Sequence, residues 1–414
     1  MFHRMSLSRG LRPFNGNGPG TSLNFSTAAE SSRKFLPECR ALLLLGSMAT
    51  LTIWSVDPLW ARIYECGALT LAGWLLLQEP AAIRWGFAAP LLLLSSWGFV
   101  QLGTNTTVYR YATLEESLRY AALAATAVAA HKLASKNIIG ERILSWMAWF
   151  GCAVAVLALL TYSSSPGKIF WQIPSPYPDV WGPFLSRNNF AQFLELCLPP
   201  ALWLALDRRD PWIYGWMAAG MLAAGLASAS RMGAALLSLE AIAILVLKRR
   251  QHPRFAWGFL GAALLLTLSA GIQHLTGRLT EPNPLAERPE LWRSTWEMIY
   301  QHPWTGYGLG TFVSVYPEFA HFDSGFTIEH AHNDWLEWIA EGGWGFGAVW
   351  AWMILRAVGK IREPWALGVA AVFLHACVDF PMARPGVVAW AFLVLGAIEG
   401  STPRPSTIIQ RRIT

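Results

Sequence analysis

Three arginines stand out for the chemistry they invite. Arg187 lies in LSRNNFAQF, Arg231 in SASRMGAALL and Arg288 in ERPELW, each just before a stretch that reads as a helix. A helix N-terminus leaves backbone N–H groups free and its dipole disfavours a cation there. The same end attracts an anion. An arginine added to it makes a stronger anion site, because a guanidinium matches phosphate through two parallel hydrogen bonds. The competing reading is that these arginines snorkel to lipid headgroups or pair with acids such as Glu287. Arg293 reads as a surface ion pair, with Glu290 three residues before it and Glu297 four after.

A second concentration of ionisable groups lies in AHFDSGFTIEHAHNDWLEWIAEGGWG, which holds His321, Asp323, Glu329, His330, His332, Asn333, Asp334, Glu337 and Glu341. So many such groups at the start of an apolar run are costly unless used. A helix beginning near His332 would put His330, Asp334, Glu337 and Glu341 roughly on one face. A histidine beside carboxylates suits general-base work near neutral pH. Two other readings compete: a metal site built on His-x-His, which lacks the HExxH spacing, and ordinary interfacial polarity. Gly306, Gly308 and Gly310 in PWTGYGLGTF are read as a turn that lets backbone segments approach closely. The strand-then-helix context of a nucleotide loop is missing.

The elements that must carry these residues are apolar helices. Of 414 residues 54% are hydrophobic and 14% charged, with 23 Trp and 21 Phe and mean hydropathy +0.33. That charged fraction is well under the roughly 25% of soluble domains, and it argues against both a cytosolic enzyme and a disordered chain. The expectation is an all-α polytopic membrane protein with about 12 transmembrane helices and a large periplasmic loop containing short helices. Candidate spans fall at about 41–56, 63–78, 85–102, 112–131, 143–162, 190–206, 212–229, 232–247, 255–272, 343–358, 365–380 and 386–399. Pro199 and Pro200 are expected to kink the sixth. The five cysteines lie far apart in or beside apolar runs, so neither a disulfide framework nor a thiolate metal site is indicated.

Charge asymmetry sets the orientation. With the N-terminus inside, the short inner loops hold Arg84, Lys132, Lys136, Arg142, Arg208, Arg209, Lys248, Arg249, Arg250, Arg254, Arg356, Lys360 and Arg362. The outer loops hold only scattered charges such as Arg62, Arg110, Lys168 and Arg384, in agreement with the positive-inside rule. The net charge of +6 then reflects cytoplasmic Lys and Arg, not nucleic-acid binding. The chain divides into a disordered basic cytoplasmic tail (1–35), nine spans (36–272), a large periplasmic loop (273–342), three spans (343–400) and a second cytoplasmic tail (401–414). A further outer segment covers about 163–188. In the large loop, Pro289 opens a helix on which Trp292, Trp296, Ile299 and Tyr300 recur at helical spacing, as on a helix lying against the membrane or other helices.

Four stretches, SRNNFAQFLELCLPPALWL, SASRMGAALLSLE, RPELWRSTWEMIYQHPWTGYGLGTFVSVYP and HAHNDWLEWIAEGGWGFG, taken together resemble the O-antigen ligase and O-antigen polymerase family of bacterial envelope glycan assembly. The resemblance covers roughly residues 185–350. It implies a polytopic inner-membrane protein that transfers a glycan from an undecaprenyl-diphosphate carrier to an acceptor hydroxyl on the periplasmic face. It implies that His332 is the essential histidine and that Arg231 and Arg288, with Arg187, hold the diphosphate. In the mechanism expected, the arginines neutralise the leaving diphosphate. His332 takes the acceptor's proton, Asn333 or Asp334 orients it, and direct displacement inverts the anomeric centre. Neither a metal nor a cofactor is called for, since the arginines supply the positive charge. The expected partners are the lipid-linked glycan, membrane lipids, and an acceptor that is the lipid A core for a ligase, a carrier-linked repeat for a polymerase, or a protein Ser or Thr for an O-oligosaccharyltransferase.

Two other classes compete. A small-anion transporter needs intramembrane charges and paired broken helices, whereas here the polar residues gather on the outer face. A non-catalytic scaffold leaves the outer arginines and histidines without a use.

Overall fold

The structure, a computed structural model, describes residues 34–55, 57–80, 85–177, 180–207, 211–248, 253–270, 287–323, 325, 327–360 and 363–401, with 277, 280 and 285. Both predicted tails except 34–35 and 401, most of 271–286, and Arg84, Arg208, Arg209, Arg249, Arg250 and Arg362 lie outside the described residues.

The protein is nearly all helix. The principal helices are α1 (Leu36–Leu51), α2 (Pro58–Gln78), α3 (Ala88–Thr104), α4 (Arg110–Ala134), α5 (Asn137–Ser164), α6 (Arg187–Asp207), α7 (Pro211–Ala227), α8 (Arg231–Lys248), α9 (Pro253–Ala270), α10 (Arg288–Gln301), α11 (Phe312–Val315), α12 (Asp334–Lys360), α13 (Leu367–His375) and α14 (Pro385–Gly400). Each apolar run marked in the sequence contains a helix among its described residues, that at 365–380 ending at His375 before a turn. By length and composition, two helical segments, 140–164 and 187–207, suffice to cross a bilayer; several others, among them 88–104 and 385–400, are apolar but shorter. The outer segment before α6 forms a small antiparallel hairpin, Lys168–Ile169 with Ile173–Pro174.

Helix α6 is the hub. It packs on α5, α7, α8, α13 and α14, and from Asn189 to Leu206 all of it except Trp203 is buried. It continues through Pro199 and Pro200. Close packing is set by small residues: a Cβ on Gly368 of α13 would lie 2.0 Å from the Glu195 carbonyl oxygen, so α13 meets α6 backbone to backbone. The periphery is the reverse of a soluble protein. Leu239, Ile242, Val246 and Leu247 on α8, Trp257, Leu264, Leu265 and Leu268 on α9, and Trp352, Leu355 and Val358 on α12 all face outward, Trp257 at 76% and Leu355 at 74% exposure. Exposed apolar area on this scale marks a surface that meets lipid or other protein, and is consistent with a membrane fold.

α12 is two helices in one. Gly343 breaks it with φ +79, and a Cβ there would fall 2.2 Å from the Trp304 carbonyl oxygen. The half before the break, with Asp334, Glu337 and Glu341, packs on α10; the half after it carries the outward-facing apolar residues. The predicted glycine turn seats in this break. Gly306, Gly308 and Gly310 all have positive φ, the Tyr307 and Gly308 N–H groups donate to the carbonyls of Ala340 and Glu341, and a Cβ on Gly306 would meet the Glu341 backbone at 2.2 Å. The Glu341 carboxylate accepts from the N–H groups of Gly310 and Phe312, both at 2.9 Å. Burial and the charge of Glu337 push its carboxyl up, against those two bonds.

On α10 the sequence signal is offset from the packing. Leu291, Ser294, Thr295, Met298 and Ile299 are buried, while Trp296 and Tyr300 face outward. The aromatics still meet the α12 region at its edges: Trp296 packs on Trp344 with ring centroids 5.9 Å apart, and the Trp292 indole reaches the His332 carbonyl.

Candidate active site

His332 sits in the residue pair before α12, with a left-handed backbone at φ +51. Only a few per cent of non-glycine residues adopt it, histidine among the more tolerant, and such backbones concentrate at working sites. Its neighbours hold it there. The Asp334 N–H donates to the carbonyls of Ala376 (3.0 Å) and Asp379 (3.3 Å), docking the start of α12 onto the turn after α13. The Trp292 indole of α10 reaches the His332 carbonyl at 3.4 Å.

The ring of His332 faces Asp379. Nδ1 and Oδ1 are 3.2 Å apart, and the ring packs edge-on against Phe380. The His332 side chain remains 35% exposed while Asp379 is 1% exposed. Asp379 also accepts from the Phe380 N–H (3.0 Å) and from the Asn188 amide at the start of α6, and an Arg288 nitrogen stands 3.9 Å from its other oxygen.

Arg288 therefore does not serve Glu287. It points from the start of α10 into the site, one-fifth exposed, with its Nε buried and unbonded. Arg187 and Arg231 open α6 and α8, whose starts abut, since Gly233 faces Ala191 so closely that a Cβ would lie 2.4 Å away. Asn188, beside Arg187, touches Asp379. The starts of α6, α8, α10 and α12 thus gather at one end of the bundle.

Asp334, Glu337 and Glu341 stand three and seven residues apart on α12 and so share a face, but each carboxylate is engaged by a different neighbour. The Glu337 carboxylate bonds His330 Nδ1 (2.8 Å) and the Ala331 N–H (2.8 Å). The Asp334 carboxylate accepts from the Met382 N–H (2.9 Å), and burial pushes its carboxyl well up, aided by the charge of Glu337. The Asn333 side chain accepts from the Leu336 N–H (3.2 Å) as a helix cap. Asn333 and Asp334 build the start of α12; the group that touches the His332 ring is Asp379. The helix begins at Asp334, two residues later than the sequence suggested, so His332 lies in the loop that precedes it. His330 and His332 engage different carboxylates, so the His-x-His pair does not converge. His321 bonds Glu297 at 2.9 Å, and Arg293 pairs with Glu297 at 3.5 Å on the surface.

Asp379, Asn188 and the buried Glu195–His375 pair escaped sequence reasoning. A signal existed: HACVDFPMAR sets a histidine and an acid four residues apart in an otherwise apolar hairpin, where such groups are expensive.

A helical membrane protein with a basic and imidazole-bearing site at one end of the bundle is the class that fold and site define. Residues 216–351, which contain Arg231, Arg288 and His332, match the family model described as O-antigen ligase, so the family resemblance carried by the motifs holds. Over 313 residues the chain is 24% identical to the general O-oligosaccharyltransferase of Acinetobacter baylyi (strain ATCC 33305 / BD413 / ADP1), an alignment covering 67% of this chain and 54% of that protein. The chain therefore spans about half the length of the curated relative it matches.

Proposed function

We propose that this protein is a glycosyltransferase of the inner membrane that moves a glycan from undecaprenyl diphosphate to an acceptor hydroxyl, with its site facing the periplasm. The observation that carries this reading is the His332–Asp379 contact with Arg288 beside it. Asp379 engages Nδ1 and leaves Nε2 to take the acceptor's proton, and it stabilises the imidazolium that results. The oxygen so activated attacks the anomeric carbon, and the bond to the diphosphate breaks with inversion. Arg288, with Arg231 and Arg187, meets the negative charge gathering on the leaving diphosphate. Asn333 and Asp334 act by fixing the backbone on either side of this assembly.

Described basic residues support the orientation. Lys132, Lys136 and Arg356 lie at the opposite helix ends from His332: Lys136 pairs with Glu79 (3.0 Å), and Arg356 with Glu399 (3.2 Å). On this reading the twelve apolar helices form the membrane domain and 273–342 the outer loop. The matched family description, O-antigen ligase, supports the ligase reading, for which we take lipid A core as the acceptor. The A. baylyi relative, a general O-oligosaccharyltransferase, supports a second reading, for which we take protein Ser or Thr as the acceptor.

The test is a deletion strain complemented with wild type or His332→Ala. Loss of long glycan on the lipid A core, with carrier-linked polymer retained, identifies a ligase. Loss of glycan from secreted proteins identifies the second reading. Restoration of glycan by His332→Ala would overturn the mechanism.

A further inference from the structure

Below Asp379, inside the bundle, lies a second histidine–carboxylate pair. His375 Nδ1 and Glu195 Oε1 are 2.7 Å apart, with side chains 1% and 0% exposed. A buried ion pair is seldom worth more than the apolar residues that would fill its place, so its presence asks for a use.

The arrangement suggests one. Asn188 and Glu195 are seven residues apart on α6, two turns, and so share a face. His375 and Asp379 are four apart, one at the end of α13 and one in the turn that follows. Asn188 bonds Asp379 and Glu195 bonds His375, so α6 grips that turn at two points. Gly368 allows α13 to lie directly on the Glu195 backbone. Asn189 and Gln192, bonded to each other at 2.9 Å, extend the buried polar face between the two grips, and the Gln192 amide nitrogen and Glu195 Oε2 have no hydrogen-bond partner.

We propose that Glu195 and His375 are positioning residues for glycan transfer: they pin the 375–379 turn so that the Asp379 carboxylate meets the His332 ring and Arg288. The inference rests on the transferase reading above. Neither residue touches the reacting atoms. Removing the pin lets Asp379 turn away, and the base loses the partner that fixes its proton.

The test uses the full chain in membranes or detergent, with lipid-linked glycan as donor, and compares Glu195→Gln, His375→Gln and His332→Ala with wild type. Both positioning variants are expected to lower kcat by about 10- to 100-fold, the usual cost of losing a group that orients a working histidine. KM for the donor should stay within about twofold, because the arginines remain. A purely structural pair would lower the amount of folded protein and leave the kcat of the folded fraction unchanged. That result, or failure of both variants to accumulate, overturns the inference. Loss of transfer in His332→Ala beside wild-type kcat in the other two overturns this inference alone. Retained transfer in His332→Ala sinks the reading on which it rests.

Discussion

His332 and Asp379 are 47 positions apart in the chain and 3.2 Å apart in space, joined across the junction between the break-bearing helix α12 and the last helical hairpin. In the proposed mechanism the contact divides the work of a general base between two segments. The loop before α12 supplies the ring, and the turn after α13 supplies the carboxylate that would fix its proton.

Replacing Asp379 with Asn should leave the fold intact and lower kcat by about 100- to 10,000-fold, as when the acid of a histidine–acid couple becomes an amide. A transfer assay on protein whose thermal stability matches wild type checks it. Unchanged kcat would mean the contact is not used.

Arg288→Ala should weaken productive donor binding. The guanidinium stands 3.9 Å from Asp379 and can turn to a diphosphate. KM for the lipid-linked donor should rise and kcat fall together, with Arg288→Lys recovering only part, because an ammonium lacks the bidentate geometry. Steady-state kinetics on the three proteins decide this.

Asp334, in the loop outside the spans, has a raised folded value, so its contribution to stability is complete below the ordinary carboxylate range of about 4 and is lost as pH rises towards that folded value. Thermal melts of Asp334→Asn should therefore show a gain over wild type at pH 7 to 8 that vanishes near about pH 4. A gain equal at both ends would point to a cause other than titration.

Gly306→Ala should destabilise the protein by about 1–3 kcal/mol or more, since φ is +64 and the new Cβ would strike the Glu341 backbone. Gly345→Ala in α12, where nothing lies within 4 Å, should be neutral or slightly stabilising. Melting temperatures of the two variants check the contrast.

The helices were legible because their signal is local: about 20 apolar residues between polar breaks state their own conformation. The three arginines were legible because each precedes an apolar run. The partner of His332 was not, because sequence proximity pointed to Asn333 and Asp334. Those residues are spent on the backbone of Leu336 and Met382, and only the packing of α13 on α6 brings Asp379 to the ring. On α10 the aromatic spacing marked the helix but not its inner face, since Trp296 and Tyr300 are exposed while Ser294 and Thr295, which carry little apolar signal, are fully buried.

The grip of α6 on the turn after α13 also bears on biogenesis. A nascent chain that has inserted everything as far as residue 360 already owns its histidine and its arginines. It lacks the carboxylate that arms them, because Asp379 arrives with the final hairpin. On the proposed mechanism, assembly order would act as a safety catch: a half-built protein would lack an armed base until the last hairpin is in place.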